Sequence, residues 1–156
     1  GKKQIMTKSM KSFISSTFWT DATGPAAALS TLNEMERIKS WKKISKIGKK
    51  IKNKWAKLSK KYEIKIRIQG IDALPSFSFD SNLNLYLKTF LTQEMLKKNI
   101  LATNSVYCCI EHEKYLSIYF RELEKIFSRI KKISKFKNIS NYLRYPVSQP
   151  GFSRLN

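Results

Sequence analysis

Residues 41–79 read WKKISKIGKKIKNKWAKLSKKYEIKIRIQGIDALPSFSF, and this stretch decides the fold. Up to Tyr62 its apolar residues recur every three or four positions, the spacing of one face of an α-helix. They are Trp41, Ile44, Ile47, Ile51, Trp55, Leu58 and Tyr62. Tyr62–Ile68 then alternates apolar and charged residues, as in a strand with one buried face. After a turn at Gly70–Pro75, Ser76–Phe79 alternates again, which predicts a hairpin or two adjacent antiparallel strands.

Upstream of this stretch the sequence predicts two further helices. The basic start of the chain, 1–10, suits a short helix. A run of strong helix formers follows Thr23, which is placed to act as N-cap, with Pro25 in the first turn, where a missing N–H costs nothing. This second helix is expected to end near Lys39. Its apolar residues at helical spacing are Ala28, Leu29, Leu32 and Met35.

Downstream, the pattern predicts a helix, a short edge strand and a last helix. Asp80 or Ser81 can cap the first of these helices, and Asn99 can end it in the left-handed conformation. Residues 100–109 are apolar and β-prone, and His112 precedes the last helix, where we expect it to cap or pack rather than catalyse. The apolar faces of the two helices are Leu83, Leu87, Phe90, Leu91 and Met95, and Leu116, Tyr119, Phe120, Leu123, Ile126, Phe127 and Ile130. The predicted fold class is α+β, a small antiparallel sheet packed with helices.

The chain is strongly basic. Its 156 residues include 31 Lys and Arg against 11 Asp and Glu, which gives a formal net charge of +20. Every charged residue from Arg37 to Tyr62 is basic, a pattern typical of a nucleic-acid, membrane-surface or acidic-protein interface. It is also typical of a domain helix that lays its apolar stripe on a sheet and its lysines in water, and the strand that follows favours this second interpretation. An excess of Lys over Arg also results from the codon bias of an AT-rich genome.

Composition argues against several classes of protein. No run of about 18 apolar residues is present, so we expect no transmembrane helix and no membrane partner. No apolar segment of the signal-peptide type follows the basic N-terminus. The adjacent Cys108 and Cys109 indicate no disulfide framework and fit a reducing cytoplasm, so a cytoplasmic location is expected. With Glu111 and His112 they lack the spacing of a zinc site, and no metal is expected.

The segment Phe13–Leu32, FISSTFWTDATGPAAALSTL, brings a hydroxyl cluster, a turn and a helix start together. Ser15, Ser16 and Thr17 stand in a row before the turn at Asp21–Pro25. A helix N-terminus with hydroxyls nearby can hold a phosphate or a carboxylate. An ordinary capped helix explains the same residues, because Ser and Thr are common before helices.

Three stretches spread along the chain carry a resemblance to a known family. The first is GKKQIM with SFISSTFWTDATGPAAALSTL; the second is GIDALPSFSF with NLYLKTFLTQEMLKKNILAT and IEH; the third is the closing PVSQPGFSRLN. In these stretches the chain resembles the C-terminal part of class III, fold-type I pyridoxal-phosphate (PLP) aminotransferases. Within them it is similar to the glutamate-1-semialdehyde aminomutase-like branch.

The resemblance implies the C-terminal portion of a PLP-dependent aminotransferase or aminomutase that acts on amino and oxo groups of a small substrate. It makes 1–36 the end of the large domain with a connecting helix, and 37–156 the small C-terminal domain with a basic tail. Family members are homodimers with active sites at the subunit interface, and they hold PLP as a Schiff base on a lysine. By the family pattern that lysine lies upstream of Gly1. The resemblance therefore implies no catalytic residue within 1–156 and no activity for this chain alone.

One binding role carries over from the family by position. A threonine after the lysine strand contacts the PLP phosphate of the neighbouring subunit; Thr17 matches it, and Ser16 beside it is a second candidate. The family wording is Gly-Thr-x-x-Gly-Asn-Pro, whereas FWTDAT separates Thr17 from Gly24 here. The loop Thr103–Ile110 is also shorter than in the aminomutases and lacks their acidic residue, so a transaminase with another substrate stays open.

Two other functions stay open at this stage. The net charge fits a basic module that binds nucleic acid or an anionic surface. The aminotransferase interpretation, by contrast, predicts no specific nucleic-acid partner. An inactive remnant of the family is the third possibility, and it would expose the surface that should face the rest of the enzyme.

Overall fold

The structure is a computed structural model that describes residues 2–9, 21–134 and 139–149. The chain divides into two compact units, Gly1–Ile38 and Lys39–Asn156. The elements are α1 (Lys3–Ser9), α2 (Thr23–Ile38), α3 (Ser40–Tyr62), β1 (Ile66–Gln69), β2 (Ser76–Phe79), α4 (Asn84–Leu96), α5 (His112–Ile133) and a 3₁₀ helix (Ile139–Tyr142). The predicted α+β class with a small antiparallel sheet is confirmed.

The first unit contains α1 and α2, and α2 buries none of its side chains. Thr23 is the first helical residue rather than the predicted N-cap, because the cap interaction comes from two residues earlier. The Asp21 carboxylate accepts a hydrogen bond from the Thr23 backbone N–H at 2.8 Å. A carboxylate at this position also complements the positive end of the helix dipole.

The core lies in the second unit, where three helices enclose the hairpin. Helix α3 packs on α5 and β1, while α4 packs on β2 and α5. The buried apolar residues are Ile47, Ile51, Trp55, Leu58, Ile64, Phe77, Phe79, Leu87, Phe90, Leu91, Met95, Leu116, Leu123, Ile126, Phe127, Ile130 and Ile133. Most of the apolar positions read from the helical spacing are among them. Trp41 is an exception, because it lies in the first turn of α3 with 48% of its surface exposed.

The hairpin pairs β1 with β2 in antiparallel register, with Ile66 opposite Phe79 and Ile68 opposite Phe77. The predicted first strand begins four residues too early, because Tyr62 is still helical. Glu63 then takes a left-handed conformation, with φ 53°, and its backbone N–H caps the last turn of α3. The predicted alternation holds, because Lys65 and Arg67 are exposed while Ile64 is buried.

The edge strand predicted within 100–109 is not a regular strand. The segment bridges β2 once, at Ser76 and Ser105, and adds backbone hydrogen bonds from Phe77 N–H to Asn104 O and from Val106 N–H to Pro75 O. The irregularity has a local cause, because the Asn104 side-chain amide donates to Phe77 O at 2.7 Å. A side chain therefore replaces a backbone donor in the ladder.

Gly48 marks a close approach between α3 and the loop that connects β1 to β2. Helix α3 runs through it without a break. A Cβ atom at this position would lie 1.7 Å from the backbone oxygen of Asp72, in the loop between the strands. The glycine is therefore what lets the β1–β2 loop lie against the helix backbone.

Helix α4 begins at Asn84, later than the predicted caps Asp80 and Ser81 imply. The intervening residues form a turn, in which the Asn84 side chain accepts from Phe79 N–H at 2.9 Å and the Ser81 hydroxyl accepts from Leu83 N–H at 3.1 Å. The predicted left-handed stop is confirmed, with φ 57° at Asn99. None of the helices in the described ranges combines the length and apolarity needed to cross a membrane.

Candidate functional site

The two residues predicted to bind a cofactor phosphate, Thr17 and Ser16, lie outside the described residues. The nearby start of α2 is described, and an internal carboxylate occupies it. Hydrogen bonds from the Thr23 hydroxyl and backbone N–H lower the pKa of Asp21. Of the two interpretations of the helix start, this geometry matches the capped helix.

The second unit holds a cavity of about 330 Å³ that sequence reasoning missed. It lies between α3, the irregular segment after α4 and the first two turns of α5. Its lining consists of Ile51, Ile100, Leu101, Ala102, Ser105, Val106, Tyr107, His112, Tyr115, Leu116 and Tyr119. Its mouth is marked by residues that expose large apolar surfaces, Leu101 at 91%, Tyr107 at 78% and Tyr115 at 60%. The sequence signal for it was a group of aromatic residues around a lone histidine.

Tyr119 is one of the residues that line this cavity, and its hydroxyl is buried. Its hydroxyl oxygen accepts a hydrogen bond from Trp55 Nε1–H at 3.0 Å. Burial raises the pKa of Tyr119 well above its ordinary value, so the hydroxyl keeps its proton. The hydrogen bonds of the described residues include no acceptor for that proton.

His112 supplies a second polar group. It is the first residue of α5, and its Nδ1 accepts a hydrogen bond from Cys109 N–H at 3.3 Å in the turn before the helix. The N-cap position belongs to Glu111, so His112 stabilises the preceding turn and does not cap α5. An acceptor Nδ1 belongs to the neutral tautomer whose proton is on Nε2.

The cysteines beside His112 do not form a metal site. Within the described ranges no group of three or more His, Cys, Asp or Glu side chains is placed to hold a metal ion. Burial, and then the neighbouring Cys109, raise the pKa of Cys108 to about 11. The Cys108 thiol is therefore protonated at neutral pH, which makes it a poor nucleophile.

The cavity does not by itself suit a cofactor held on a lysine. None of the described residues that line it is a lysine. The polar side chains among the residues that line it are three phenols, an imidazole and a serine hydroxyl, and none of them forms a Schiff base. A PLP site would therefore need groups beyond this cavity.

The basic face of α3 divides into paired flanks and an unpaired ridge. On one flank Lys54 and Lys61 both contact the Glu124 carboxylate, at 2.8 and 2.6 Å. On the other, Lys52 lies 3.0 Å from the Asp72 carboxylate. We call the exposed face between them the lysine ridge; its residues, which have no ion-pair partner in the described part of the chain, are Lys42, Lys46, Lys57 and Lys60. The helix thus packs on the sheet and keeps lysines in water, as the favoured interpretation predicted.

Comparisons with protein-family models and with curated proteins give no match. Among solved structures, the chain matches one described as the PLP internal aldimine form of the FumI protein of Sphingopyxis sp. MTA144. The superposition has a TM-score of 0.74 and 14% sequence identity. It covers 92% of this chain and 36% of that one, so this chain corresponds to about a third of the solved protein. At this identity the likeness shows the fold alone, and the fold is that of part of a PLP-containing protein.

Proposed function

We propose that the chain is the C-terminal portion of a PLP-dependent aminotransferase or aminomutase that acts on amino and oxo groups of a small substrate. The observation that carries the proposal is the fold match over 92% of the chain to a protein solved with PLP. The three stretches of sequence resemblance support the finer assignment to class III and to the glutamate-1-semialdehyde aminomutase-like branch. At 14% identity the fold match carries no information about the reaction, so the finer assignment depends on these stretches.

In this proposal, residues 1–36 end the large domain and 37–156 form the small domain. The full enzyme is a cytoplasmic homodimer, and Thr17, with Ser16 beside it, donates hydrogen bonds to the PLP phosphate of the neighbouring subunit. A hydroxyl suits this task because a charge-assisted hydrogen bond to phosphate is stronger than a neutral one. Cofactor retention and dimerisation are then linked, since each subunit completes the phosphate site of the other.

The bound cofactor would supply an electron sink for chemistry at the substrate's amino carbon. By the family pattern, the lysine that holds it is expected upstream of Gly1. The task of this chain would be to position the phosphate and to complete the dimer. We therefore propose no catalytic residue within 1–156.

The test is to express the chain together with the reading frame that precedes the Gly1 codon. We expect the purified protein to carry a visible PLP absorbance band that borohydride removes, and mass spectrometry to find the modified lysine upstream of Gly1. A modified lysine inside 1–156, or a protein that binds no PLP, would overturn the proposal.

The role of Thr17 is tested in the same longer protein. Thr17→Ala should weaken PLP retention by about 1.5–3 kcal/mol, the contribution of a hydrogen bond to a charged group. Thr31→Ala is the matched control, because the Thr31 hydroxyl donates within α2 to Ala27 O at 2.8 Å. Equal PLP affinity in the two variants would remove Thr17 from the phosphate site.

A further inference from the structure

Helix α3 presents an exposed face whose charges are all positive. The helix has ten lysines and no acidic residue. The other long helix of this unit, α5, mixes three glutamates with its six basic residues. Codon bias alone would add lysines to both helices without removing the acidic residues from one of them. Composition therefore does not explain the single-sign face of α3.

The acidic groups of the fold neutralise the flanks of α3 and leave the lysine ridge between them. The carboxylates of Asp72 and Glu124 contact lysines on either side of it. The ridge lysines are exposed and have no ion-pair partner in the described part of the chain. Because an α-helix rises about 1.5 Å per residue, the ridge extends roughly 27 Å from Lys42 to Lys60. It is therefore a narrow row of ammonium groups, which complements a row of phosphates.

An exposed tryptophan lies at the end of the ridge where α3 begins. Trp41 leaves 48% of its surface uncovered, although a large aromatic side chain gains much from burial. It lines a shallow surface groove together with Lys42 and Lys46 of the ridge, and with Ser45 and Asn53. The groove therefore combines an aromatic surface, cations and neutral hydrogen-bonding groups.

These groups match single-stranded nucleic acid better than they match other polyanions. A single strand offers phosphates to the lysines and a base to the indole, whereas the bases of a duplex already stack on one another. A membrane-surface helix inserts its apolar face, but the apolar stripe of α3, from Ile47 to Leu58, is buried in the core. An acidic protein offers carboxylates to the ridge and no base to Trp41.

We propose that this face of α3 binds single-stranded nucleic acid, with phosphates along the lysine ridge and a base stacked on Trp41. Helix α3 contains no arginine, the residue whose planar guanidinium reads base edges through paired hydrogen bonds, so the binding does not depend on sequence. The site goes beyond the proposed cofactor chemistry and does not require it, because it lies wholly on α3, within the unit Lys39–Asn156.

The first test compares two nucleic acids on the 156-residue chain. Fluorescence anisotropy at one salt concentration measures the affinity for oligothymidylate of about 12 nucleotides and for a duplex of the same length. A polycation without a stacking site should prefer the duplex, because its charge density is higher. We expect the chain to bind the single strand at least about fivefold more tightly. Equal affinities, or a preference for the duplex, would overturn the proposal.

The second test removes the stacking surface and keeps every charge. Trp41→Ala should weaken oligothymidylate binding about fivefold or more and change duplex binding by less than about twofold. Tyr107→Ala is the matched control, because Tyr107 is a 78% exposed aromatic residue outside α3, and it should leave both affinities unchanged. Amide NMR spectra of the free variants establish that each is folded. Unchanged oligothymidylate affinity in Trp41→Ala would overturn the proposal.

The third test locates the phosphates with two triple variants that each remove three positive charges. They replace with Gln either Lys42, Lys46 and Lys57 of the ridge or the exposed Lys65, Lys98 and Lys132 elsewhere. Net charge alone predicts equal losses, whereas we expect the ridge variant to lose at least about fivefold more oligothymidylate affinity. Equal losses would overturn the proposal.

Vesicles that contain phosphatidylserine, and polyglutamate, test the other classes of polyanion with the same variants. We expect Trp41→Ala to bind both of them as the parent does, because neither supplies a base to the indole. If Trp41→Ala weakens binding to the vesicles or to polyglutamate but not to oligothymidylate, the surface serves a membrane or an acidic protein, and the proposal is wrong.

Discussion

The indole Nε1–H of Trp55 donates a hydrogen bond to the hydroxyl oxygen of Tyr119, and this 3.0 Å contact joins α3 to α5. Trp55 is fully buried, and its ring packs edge-on against Phe77 with centroids 4.8 Å apart. The indole therefore has a single polar atom in an apolar core. Tyr119 satisfies that atom, and this fixes the two longest helices against each other at the floor of the cavity.

Removing this acceptor should destabilise the fold. Tyr119→Phe leaves the buried Trp55 N–H unpaired, so we expect the free energy of unfolding to fall by about 1–3 kcal/mol in urea titrations. Tyr115→Phe is the control, because Tyr115 is 60% exposed, and it should change stability by less than about 0.5 kcal/mol. If both variants unfold at the same urea concentration, the hydrogen bond contributes nothing.

Replacing Gly48 with Ala should change stability in the direction opposite to the usual Gly→Ala replacement in a helix. In an exposed helix, Gly→Ala stabilises by about 1 kcal/mol. Gly48→Ala would force a Cβ against the Asp72 backbone oxygen, so we expect it to destabilise the protein by about 1–3 kcal/mol or more. Ala56→Gly, exposed on the same helix, measures the ordinary propensity term by thermal or urea unfolding. A stabilised Gly48→Ala variant would mean that the loop does not lie against α3.

The Glu124 ion pairs should make stability depend on pH in the acid range. Hydrogen bonds from Lys54 and then Lys61 lower the pKa of the Glu124 carboxyl from 4.5 to about 2. The unfolded chain holds this proton more tightly, so the stabilisation is present above about pH 4.5 and is lost as the pH falls towards 2. Glu124→Gln should therefore be less stable than the parent at pH 6, and the difference should disappear near pH 2.

Urea unfolding curves taken across this range measure the effect. Glu36→Gln, an exposed change in the other unit, is the control for the loss of a negative charge. A Glu124→Gln difference that stays constant from pH 6 to pH 2 would contradict the ion-pair assignment.

The adjacent cysteines should differ sharply in reactivity. The pKa of Cys108 is raised to about 11 and its side chain is partly buried, whereas Cys109 is exposed. Since the thiolate is the nucleophile, iodoacetamide at pH 8 should modify Cys109 first. Peptide mapping after a short pulse checks this order, and Cys109→Ser should remove the fast phase while Cys108→Ser should keep it. Equal labelling of the two thiols would contradict the prediction, because it would mean that the Cys108 thiol lies in a more polar environment than the structure shows.

The lysine ridge should bind polyanions without reading sequence. Because duplex binding by a polycation is driven by counterion release, its affinity should fall steeply with salt and be equal for two unrelated DNA sequences. Replacing Lys46 and Lys57 with Gln should reduce the salt slope more than replacing Lys98 and Lys132, which are exposed outside α3. Fluorescence anisotropy at several salt concentrations measures both slopes. A strong preference for one DNA sequence would instead indicate sequence-specific recognition.

The fold was largely predictable from periodicity. The stripe from Ile47 to Leu58 and the alternation around Ile66 define the α3–hairpin core, because only one register buries each apolar face. Boundaries were less predictable, since Tyr62 satisfies both the helical and the alternating pattern. The left-handed Glu63 decides between them, and its sequence carries no glycine to signal it. The predicted third strand is irregular in the structure, because the Asn104 side-chain amide donates to Phe77 O where a regular strand would use its backbone N–H.

The candidate site was less predictable than the fold. The cavity combines residues from three parts of the chain, such as Ile51, Leu101 and Tyr119, which no local spacing connects. His112 was expected to cap or pack, and in the structure its side chain accepts from Cys109 N–H in the turn before α5. The buried hydrogen bond of Tyr119 became evident only when Trp55 was placed against its oxygen. Thr17 and Ser16 stay predictions.

The short first strand has a consequence for how copies of the protein meet at high concentration. Within the described residues β1 hydrogen-bonds to β2 on one side, and no further strand pairs with it on the other. That edge spans four residues, and the exposed Lys65 and Arg67 stand at it. A second copy of β1 added in antiparallel fashion would bring like charges side by side, an arrangement that opposes edge-to-edge aggregation. Positive charge beside this strand therefore opposes the growth of one sheet onto the next.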